Sequence, residues 1–355
     1  MRVQAERGTK RGGGAWVPVT RTIQGGPMTR FGYHNSHEQF APDRLLRVAK
    51  LADGAGFSCA SASDHFHPWS TAEQGQSGFV WSWIGAAMEA TTLDYRTVSC
   101  PGWRYHPAIL AQAGATLSTM YPGRLWMTLA SGQLLNEGIA GVNWPAKDER
   151  NAHLKECVDV VRALWAGETV THRGRITVEE ARLYTRPAEP PLIIGAAISE
   201  RTARWLGSWA DALITVGGAD RDRVRGVVDA FREGGGEGKP VCIQAKVAWD
   251  ETYEKALEGA FREWRTNVLP GDVPWEIRTP QQFEQATAHV RPEDVAACLK
   301  VSDSLEQHAE WLNDFVEMGA AEILVHNVAP NQEAFIEAFG AKVLPQMGDG
   351  ARRAA

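Results

Sequence analysis

The sequence predicts an α/β protein that folds as a single (β/α)8 TIM barrel with insertions. Short apolar segments alternate with amphipathic helical segments along nearly all of the 355 residues, and eight of the apolar segments are strand-like. This alternation favours parallel βαβ units, and eight units favour closure of the sheet into a barrel. A doubly wound open sheet is the alternative, but no Gly-x-Gly-x-x-Gly motif opens a helix after the first strand.

Each barrel strand is predicted from a short run of apolar or small residues that ends at a turn signal. The predicted strands are 31–33, 57–62, 96–100, 124–130, 190–196, 212–216, 241–248 and 322–326. Helical spacing of apolar residues predicts helices at 43–52, 77–90, 107–121, 151–165, 200–209, 221–232, 251–264, 304–318 and 332–343. Residues 169–184 are predicted to form an inserted hairpin, and the proline-rich segment 269–291 to be irregular.

The barrel is expected to occupy residues 28–346 as one catalytic domain. Residues 1–27 are rich in glycine and basic residues and are predicted to be a flexible extension, and residues 347–355 a C-terminal tail. The extension lacks the apolar core of a secretory signal, and the sequence has no apolar run long enough to predict a membrane span. A cytoplasmic location is therefore expected.

Composition limits the classes of partner. The formal net charge of −6 argues against nucleic acid, because binding to a phosphate backbone needs clustered lysine and arginine. The five cysteines are scattered and form no Cys-x-x-Cys pair, which argues against a zinc ribbon or a disulfide framework and suits a reducing compartment. A small molecule is the expected partner.

Polar and aromatic side chains follow four successive predicted strands. These strand ends are 34–39, 63–69, 101–107 and 131–137, and each contains His, Asp, Glu, Arg or Asn. Active sites of (β/α)8 barrels lie at the C-terminal ends of the strands. A barrel without a site has no need of such a set, so a functional pocket is predicted at this end.

The run 64–69 after the second strand allows two chemistries. His65 and His67 alternate as metal ligands do, and His326 after the eighth strand is a possible third ligand of a barrel hydrolase. In the other interpretation Asp64 fixes the tautomer of His65, which then transfers a proton near neutral pH. The local pattern leaves both open, together with a purely structural role.

Four ordered segments carry a resemblance to a known family. Residues 38–42, 63–69, 104–112 and 135–137 resemble successive motifs of the luciferase-like superfamily, in the branch that contains the deazaflavin-dependent glucose-6-phosphate dehydrogenases. The resemblance implies an oxidoreductase that uses coenzyme F420, a deazaflavin, or FMN. It also implies a homodimer. It is strong through residue 166 and weaker beyond.

The resemblance assigns roles to five side chains. His65 would transfer the proton beside the site of hydride transfer, and Asp64 would hydrogen-bond both His65 and the cofactor ring. Trp69 and Glu38 would line the substrate pocket. Asn136 would hydrogen-bond the polar edge of the ring.

The resemblance also implies a cofactor site along the strand ends. Thr97 and Val98 match the place where the family has a non-prolyl cis peptide behind the ring. The residues expected at the cofactor are Asp64, Thr97, Val98, Cys100, Gly132, Gln133, Asn136, Gly195, Ala196, Ala197, Ile198, Thr215 and Val216.

Several positions depart from the family pattern. Gln133 stands where the family has a carboxylate, and an amide does not titrate. Ala197 and Ile198 stand where the family has paired glycines, and neither 217–220 nor 295–299 supplies the cation that the family has there. Without those cations a sugar phosphate would lack compensating charge. Glucose 6-phosphate is therefore not expected to be the substrate.

Three alternatives accompany hydride transfer with F420. Bound FMN would favour a monooxygenase, because reduced flavin activates oxygen. A metal-dependent hydrolase would use His65, His67 and His326, although no metal ligand is predicted. The amide of Gln133 also suits a protein that binds the cofactor without catalysis.

Overall fold

The computed structural model describes residues 28–72 and 75–347. The predicted extension 1–27 lies outside the described residues, as does the predicted tail apart from Met347. Because strands and helices run from Arg30 to Met347, the described elements fill the span that the sequence assigns to the barrel.

Eight parallel strands close into a barrel, as the sequence predicts. They are β1 (Arg30–Asn35), β2 (Cys59–Ser63), β3 (Asp94–Ser99), β4 (Leu125–Leu129), β7 (Ile193–Ala196), β8 (Ala212–Gly217), β9 (Val241–Ala248) and β11 (Glu322–Asn327). Each strand pairs in parallel with the next, and the pairing of β11 with β1 closes the circle. The short hairpin of β5 (Val170–Arg173) and β6 (Thr177–Ala181) is the predicted insertion.

Helices surround the barrel. The principal ones are α1 (Pro42–Gly54), α2 (Val80–Ala90), α3 (Pro107–Met120), α4 (Leu134–Glu137), α5 (Lys147–Ala166), α6 (Glu200–Gly207), α7 (Arg221–Phe231), α8 (Tyr253–Trp264), α9 (Val273–Glu276), α10 (Pro280–Ala286), α11 (Pro292–Cys298), α12 (Leu305–Glu317) and α13 (Gln332–Ala338). Short 3-10 or π turns occupy Gly138–Ala140, Arg232–Gly236, Arg265–Val268, Phe339–Val343 and Leu344–Met347. Each long helix buries one apolar face against the strands; in α1 that face is Leu45, Val48, Ala49 and Ala52.

The segment 269–291, which the sequence predicts to be irregular, contains helices instead. Pro274, Pro280 and Pro292 each lie in the first turn of a short helix, α9, α10 and α11 respectively. Proline is well tolerated there, because the N–H that it lacks has no partner within the helix. A two-residue strand, β10 (Lys300–Val301), follows α11 and pairs with β9, and the sequence did not predict it.

Successive side chains along a strand point alternately into the barrel and outward to the helices. The buried cluster of Cys59, Ile194, Ala212, Ile214, Cys242 and Leu324 draws on five strands, so these side chains fill the interior. At the N-terminal end of the barrel, Arg96 of β3 crosses the interior to form an ion pair with Glu322 of β11. The opposite, C-terminal end carries the polar strand ends. Within the described residues, no helix is both long and apolar enough to cross a membrane.

Candidate active site

The inward side chains at the C-terminal end form the mouth of the barrel. Continuing the alternation from Arg96, Ile194 and Ile214 by two residues brings Val98, Ala196 and Val216 inward, and all three are partly exposed. Their neighbours Thr97, Gly195 and Thr215 are buried and face the helices. The predicted cofactor residues therefore divide into two sets, of which only the inward set presents side chains to the mouth.

The expected cis peptide at Thr97–Val98 is absent. All peptide bonds of the described residues are trans. The side chain of Thr97 is completely buried, so the cofactor contact that the sequence predicts for this residue is limited to its backbone.

Asp64, directly after β2, is held by three residues of the next strand end. One carboxylate oxygen accepts a hydrogen bond from Ser99 Oγ at 2.6 Å. The other accepts from the Arg104 guanidinium at 3.1 Å and from Tyr105 Oη at 3.0 Å. No described contact joins Asp64 to His65, so the prediction that Asp64 hydrogen-bonds and orients His65 is wrong. Asp64 instead anchors the start of the loop that follows β2, residues 64–72.

His65 takes its orientation from a backbone carbonyl. Its Nδ1 lies 3.2 Å from the carbonyl oxygen of His67. A carbonyl only accepts, so Nδ1 carries the hydrogen in this contact and Nε2 is left as the basic nitrogen. The ring is half-buried, and its centroid lies 5.0 Å from that of Trp69. This arrangement presents a proton acceptor beside an aromatic wall.

Asn136 joins the His65 loop to the strand end after β4. Its Oδ1 accepts hydrogen bonds from the backbone N–H of Phe66 at 2.9 Å and of His67 at 3.3 Å. Its Nδ2 donates to Gln133 Oε1 at 3.2 Å. The structure thus brings Gln133 and the His65 loop together, and the predicted contact of Asn136 with the ring edge would use its remaining N–H.

The strand end after β4 requires glycine. Gly132 has a φ of +83°, and a Cβ there would lie 2.7 Å from Cys100 Sγ and 2.9 Å from Glu137 Cγ. Cys100 is buried, and so is Glu137, which is not among the predicted site residues. Burial raises the pKa of Glu137 to about 7, although the Arg104 guanidinium beside it acts in the opposite direction. Gly132 therefore brings the backbone close to a buried acid.

The strand ends after β7 and β8 do not form the open site for an anion that the resemblance implies. Ala197 is buried, and Ile198 is half-buried with its carbonyl accepting from Arg223 at 3.3 Å. Asp220 caps α7, accepting from the Arg223 backbone N–H at 3.0 Å. Asp220 thus places a carboxylate in the strand end where the resemblance implies a lysine.

Glu38 lies in a buried polar layer below the mouth. Its carboxylate accepts a short hydrogen bond from Ser63 Oγ. Burial alone would raise the pKa of Glu38, but the imidazoles of His65 and His34 and the Ser63 hydroxyl outweigh it and lower the pKa. Glu38 is therefore a buried anion close to His65, and its predicted place in the lining of the substrate pocket stays a prediction.

The same layer contains His34 and His326, which lie in predicted strand ends, and Lys246, which sequence reasoning missed. The rings of His34 and His326 lie 4.4 Å apart, and burial lowers the pKa of both. Lys246 of β9 lies level with His326 and places Nζ 5.0 Å from the Trp264 ring centroid. Burial lowers the pKa of Lys246 to about 8, against the attraction of Glu38. The alternating polar residues Gln244 and Lys246 within an apolar strand were the available signal.

The hydrolase alternative finds no support in the geometry. His67 Nδ1 is 2.8 Å from the Leu135 carbonyl, and His326 Nε2 is 3.0 Å from Gln39 Oε1. Among the residues that the structure describes, no three His, Cys, Asp or Glu side chains are grouped to hold a metal ion.

Comparison with protein families and curated proteins agrees with the resemblance read from the sequence. The family model described as luciferase-like monooxygenase matches residues 27–322. An F420-dependent glucose-6-phosphate dehydrogenase of Beutenbergia cavernae is 34% identical over 90% of this chain and 98% of its own length. The enzyme of the same name from Microbacterium testaceum is 32% identical over 90% of this chain and 97% of its own.

Comparison with solved structures gives the same barrel. An F420-dependent secondary alcohol dehydrogenase in complex with an F420-acetone adduct superposes with a TM-score of 0.83 and 29% identity. The match covers 91% of this chain and 99% of that one. The cofactor in the names of these relatives is one of the two that the sequence predicts. This chain therefore belongs to the luciferase-like monooxygenase family and is an oxidoreductase.

Proposed function

We propose that the protein is an F420-dependent dehydrogenase whose substrate is a neutral secondary alcohol. The observation that carries the proposal is His65, which presents its basic Nε2 beside Trp69 at the mouth of the barrel. Relatives named for F420 match the chain over nine-tenths of its length, and one of them is an alcohol dehydrogenase.

The mouth of the barrel fits a flat ring system. Val98, Ala196 and Val216 are small or branched apolar residues and remain partly exposed, so they leave space above the packed interior. Gly132, after β4, is also partly exposed, and a side chain there would crowd Cys100. These residues would hold the deazaflavin ring, since ring sites are mostly apolar with a few placed polar groups.

F420, when bound, supplies the acceptor for the hydride that leaves the alcohol carbon. His65 Nε2 accepts the hydroxyl proton, so that the carbon–oxygen bond becomes a carbonyl. The anionic Glu38 stabilises the imidazolium that results. Trp69 is 6% exposed and limits the access of water to the reacting atoms.

The walls of the mouth suit a neutral substrate. Trp69 packs edge-on against Phe283, with ring centroids 5.1 Å apart, and the apolar cluster continues through Leu135, Trp264 and Val328. The strand end after β8 carries Asp220 where a sugar phosphate would need a cation. Arg223 is a cation near the strand ends after β7 and β8, but it donates to the Ile198 carbonyl, and the Asp220 carboxylate would oppose a phosphate group.

The cofactor is tested first, by fluorescence titration of cofactor-free protein with F420 and, in parallel, with FMN. We expect tight binding of F420 and weak binding of FMN. Tight binding of FMN alone would contradict the proposal and favour a monooxygenase.

Turnover is then measured as the loss of oxidised F420 with propan-2-ol, longer secondary alcohols and glucose 6-phosphate. We expect turnover with one or more alcohols and none with the sugar phosphate. In His65→Ala we expect a loss of kcat on the order of 100-fold or more, with the Kd for F420 unchanged. A robust rate with glucose 6-phosphate would overturn the substrate assignment.

A further inference from the structure

The loop that carries His65 and Trp69 is held at three places. This loop, residues 64–72, begins at Asp64, which Ser99, Arg104 and Tyr105 hold. Asn136 holds its middle through the N–H groups of residues 66 and 67. Its end is held from a different direction, by a helix of the segment that the sequence predicts to be irregular.

Glu284 of α10 makes this third attachment. Its Oε1 accepts hydrogen bonds from the backbone N–H of Thr71 at 2.7 Å and of Ala72 at 3.2 Å. The same oxygen accepts from Ser70 Oγ at 3.1 Å and from Thr71 Oγ1 at 3.0 Å. Hydrogen bonds to an ionised carboxylate are among the stronger ones. They outweigh partial burial and lower the pKa of Glu284.

The residue before Glu284 contacts the loop at Trp69. Phe283 is fully buried and meets the Trp69 ring edge-on at 5.1 Å. One turn of α10 therefore contacts the loop in two ways, by ring packing on Trp69 and by hydrogen bonds to residues 70–72.

Helix α10 is capped at both ends and is attached to the turn after α4. Thr279 and Gln282 form a capping box at its start, and Thr287 Oγ1 donates to the Phe283 carbonyl at its end. Arg278, just before it, donates to the Gly138 carbonyl after α4. The carboxylate of Glu284 thus connects the loop to a fixed support.

We infer that Glu284 is a positioning residue that sets the place of Trp69 and so aligns the alcohol against His65. This inference rests on the proposed function. Glu284 lies on α10, outside the mouth of the barrel, and acts through the loop alone. Small displacements of a positioning group lower turnover strongly, because the reacting atoms must be aligned.

The test compares Glu284→Ala and Glu284→Gln with Gln285→Ala, a control at the next, exposed position of α10. In Glu284→Ala we expect KM for the alcohol to rise about tenfold and kcat to fall several-fold, with the Kd for F420 unchanged. Glu284→Gln keeps an acceptor oxygen and should recover part of the loss. Gln285→Ala should behave as the parent protein.

Hydrogen exchange of the Thr71 and Ala72 amides is measured in the same proteins, without cofactor. We expect faster exchange in Glu284→Ala and no change in Gln285→Ala. Unchanged exchange, or faster exchange with unchanged KM and kcat, would overturn the inference. If the parent protein turns over no alcohol, the proposed function fails, and the exchange rates still decide whether Glu284 holds the loop.

Discussion

At the scale of single residues, a few buried groups set the charge at the mouth of the barrel. Glu38 has a lowered pKa and stays ionised, whereas burial raises the pKa of Glu137 to about 7 and lowers that of Lys246 to about 8. Two of the three groups therefore titrate near neutral pH. The chemistry at His65 takes place among charges that change with pH.

The first prediction concerns Gln133. Replacement by glutamate is nearly isosteric and keeps the oxygen that accepts from Asn136 Nδ2. We expect Gln133→Glu to raise kcat on the order of tenfold, because it adds a titrating group where the family resemblance implies a carboxylate. The kcat–pH profile should gain an additional ionisation. Gln133→Met is the matched control, and an unchanged kcat in Gln133→Glu would show that no carboxylate is needed here.

The second prediction concerns Lys246. Its pKa falls from 10.5 to about 8 on folding, chiefly through burial, so the unfolded chain binds more protons between these values. The charged amine therefore costs stability below pH 8, and this cost shrinks as pH rises from 8 towards 10.5. Lys246→Met should be more stable than the parent at pH 7, on the order of 1–3 kcal/mol.

Urea unfolding at pH 7 and pH 9.5 checks this expectation, since the advantage of Lys246→Met should fall by half or more at the higher pH. Gln244→Met is the control, because Gln244 is two residues earlier on the same face of β9 and does not titrate. An advantage that is independent of pH would mean that the lysine is already neutral or well solvated at pH 7.

At the scale of elements, the strand end after β4 brings its backbone against Cys100. Gly132 and Gly123 both have positive φ, at +83° and +78° respectively. A Cβ at Gly132 would lie 2.7 Å from Cys100 Sγ, whereas a Cβ at Gly123 meets nothing within 4 Å. A side chain at position 123 therefore introduces backbone strain alone, whereas a side chain at position 132 introduces both strain and crowding.

The third prediction uses this pair. Gly123→Ala should destabilise the protein by about 1 kcal/mol, the cost of a left-handed conformation with a side chain. Gly132→Ala should cost about 2–4 kcal/mol, because crowding adds to that strain. It should also weaken F420 binding measured by fluorescence, and Gly123→Ala should not. Equal losses of stability would show that Cys100 and Glu137 move aside freely.

The elements also show what the sequence could predict. Short, nearly continuous runs of apolar or small residues were sufficient to predict all eight barrel strands, because a parallel barrel buries both faces of each strand. Pro274 and Pro280 misled the prediction for 269–291, since proline is well tolerated in the first turn of a helix. No local signal marked Glu284, because its partners lie more than 200 residues earlier in the chain.

The sequence predicted which strand ends carry the site, but not which side chains at those ends face the mouth of the barrel. The resemblance named both Thr97 and Val98, and only the phase of β3, which Arg96 fixes through its ion pair with Glu322, separates the inward residue from the outward one. Asp64 and His65 are adjacent in sequence, yet Asp64 pairs with Arg104 instead. Which side chains pair across the barrel depends on tertiary packing, and a single sequence does not reveal that packing.

At the scale of the whole molecule, the two ends of the barrel have different roles. The N-terminal end stabilises the fold, and the C-terminal end carries the candidate site. The N-terminal end is closed by a buried ion pair, in which Arg96 contacts Glu322 at 2.6 and 2.8 Å and lies over the Trp126 ring at 3.9 Å. The C-terminal end holds His65 and the partly exposed mouth. The predicted homodimer stays a prediction, which the molar mass in solution tests.

The last prediction follows from this division. Glu322→Ala leaves the fully buried Arg96 without its carboxylate, and the loss of one partner of a buried pair costs about 3–5 kcal/mol. Glu251→Ala is the control: it removes the carboxylate of the exposed Lys255–Glu251 pair and should leave the stability close to that of the parent. Denaturant unfolding measures both losses.

The ion pair and the mouth lie at opposite ends of the barrel, so folded Glu322→Ala should bind F420 as the parent does. The double variant Arg96→Met/Glu322→Leu should recover most of the lost stability, because it leaves no buried charge unpaired. Weakened F420 binding by Glu322→Ala under conditions in which it is fully folded would show that the two ends are coupled. In that case the ion pair would also maintain the geometry of the mouth.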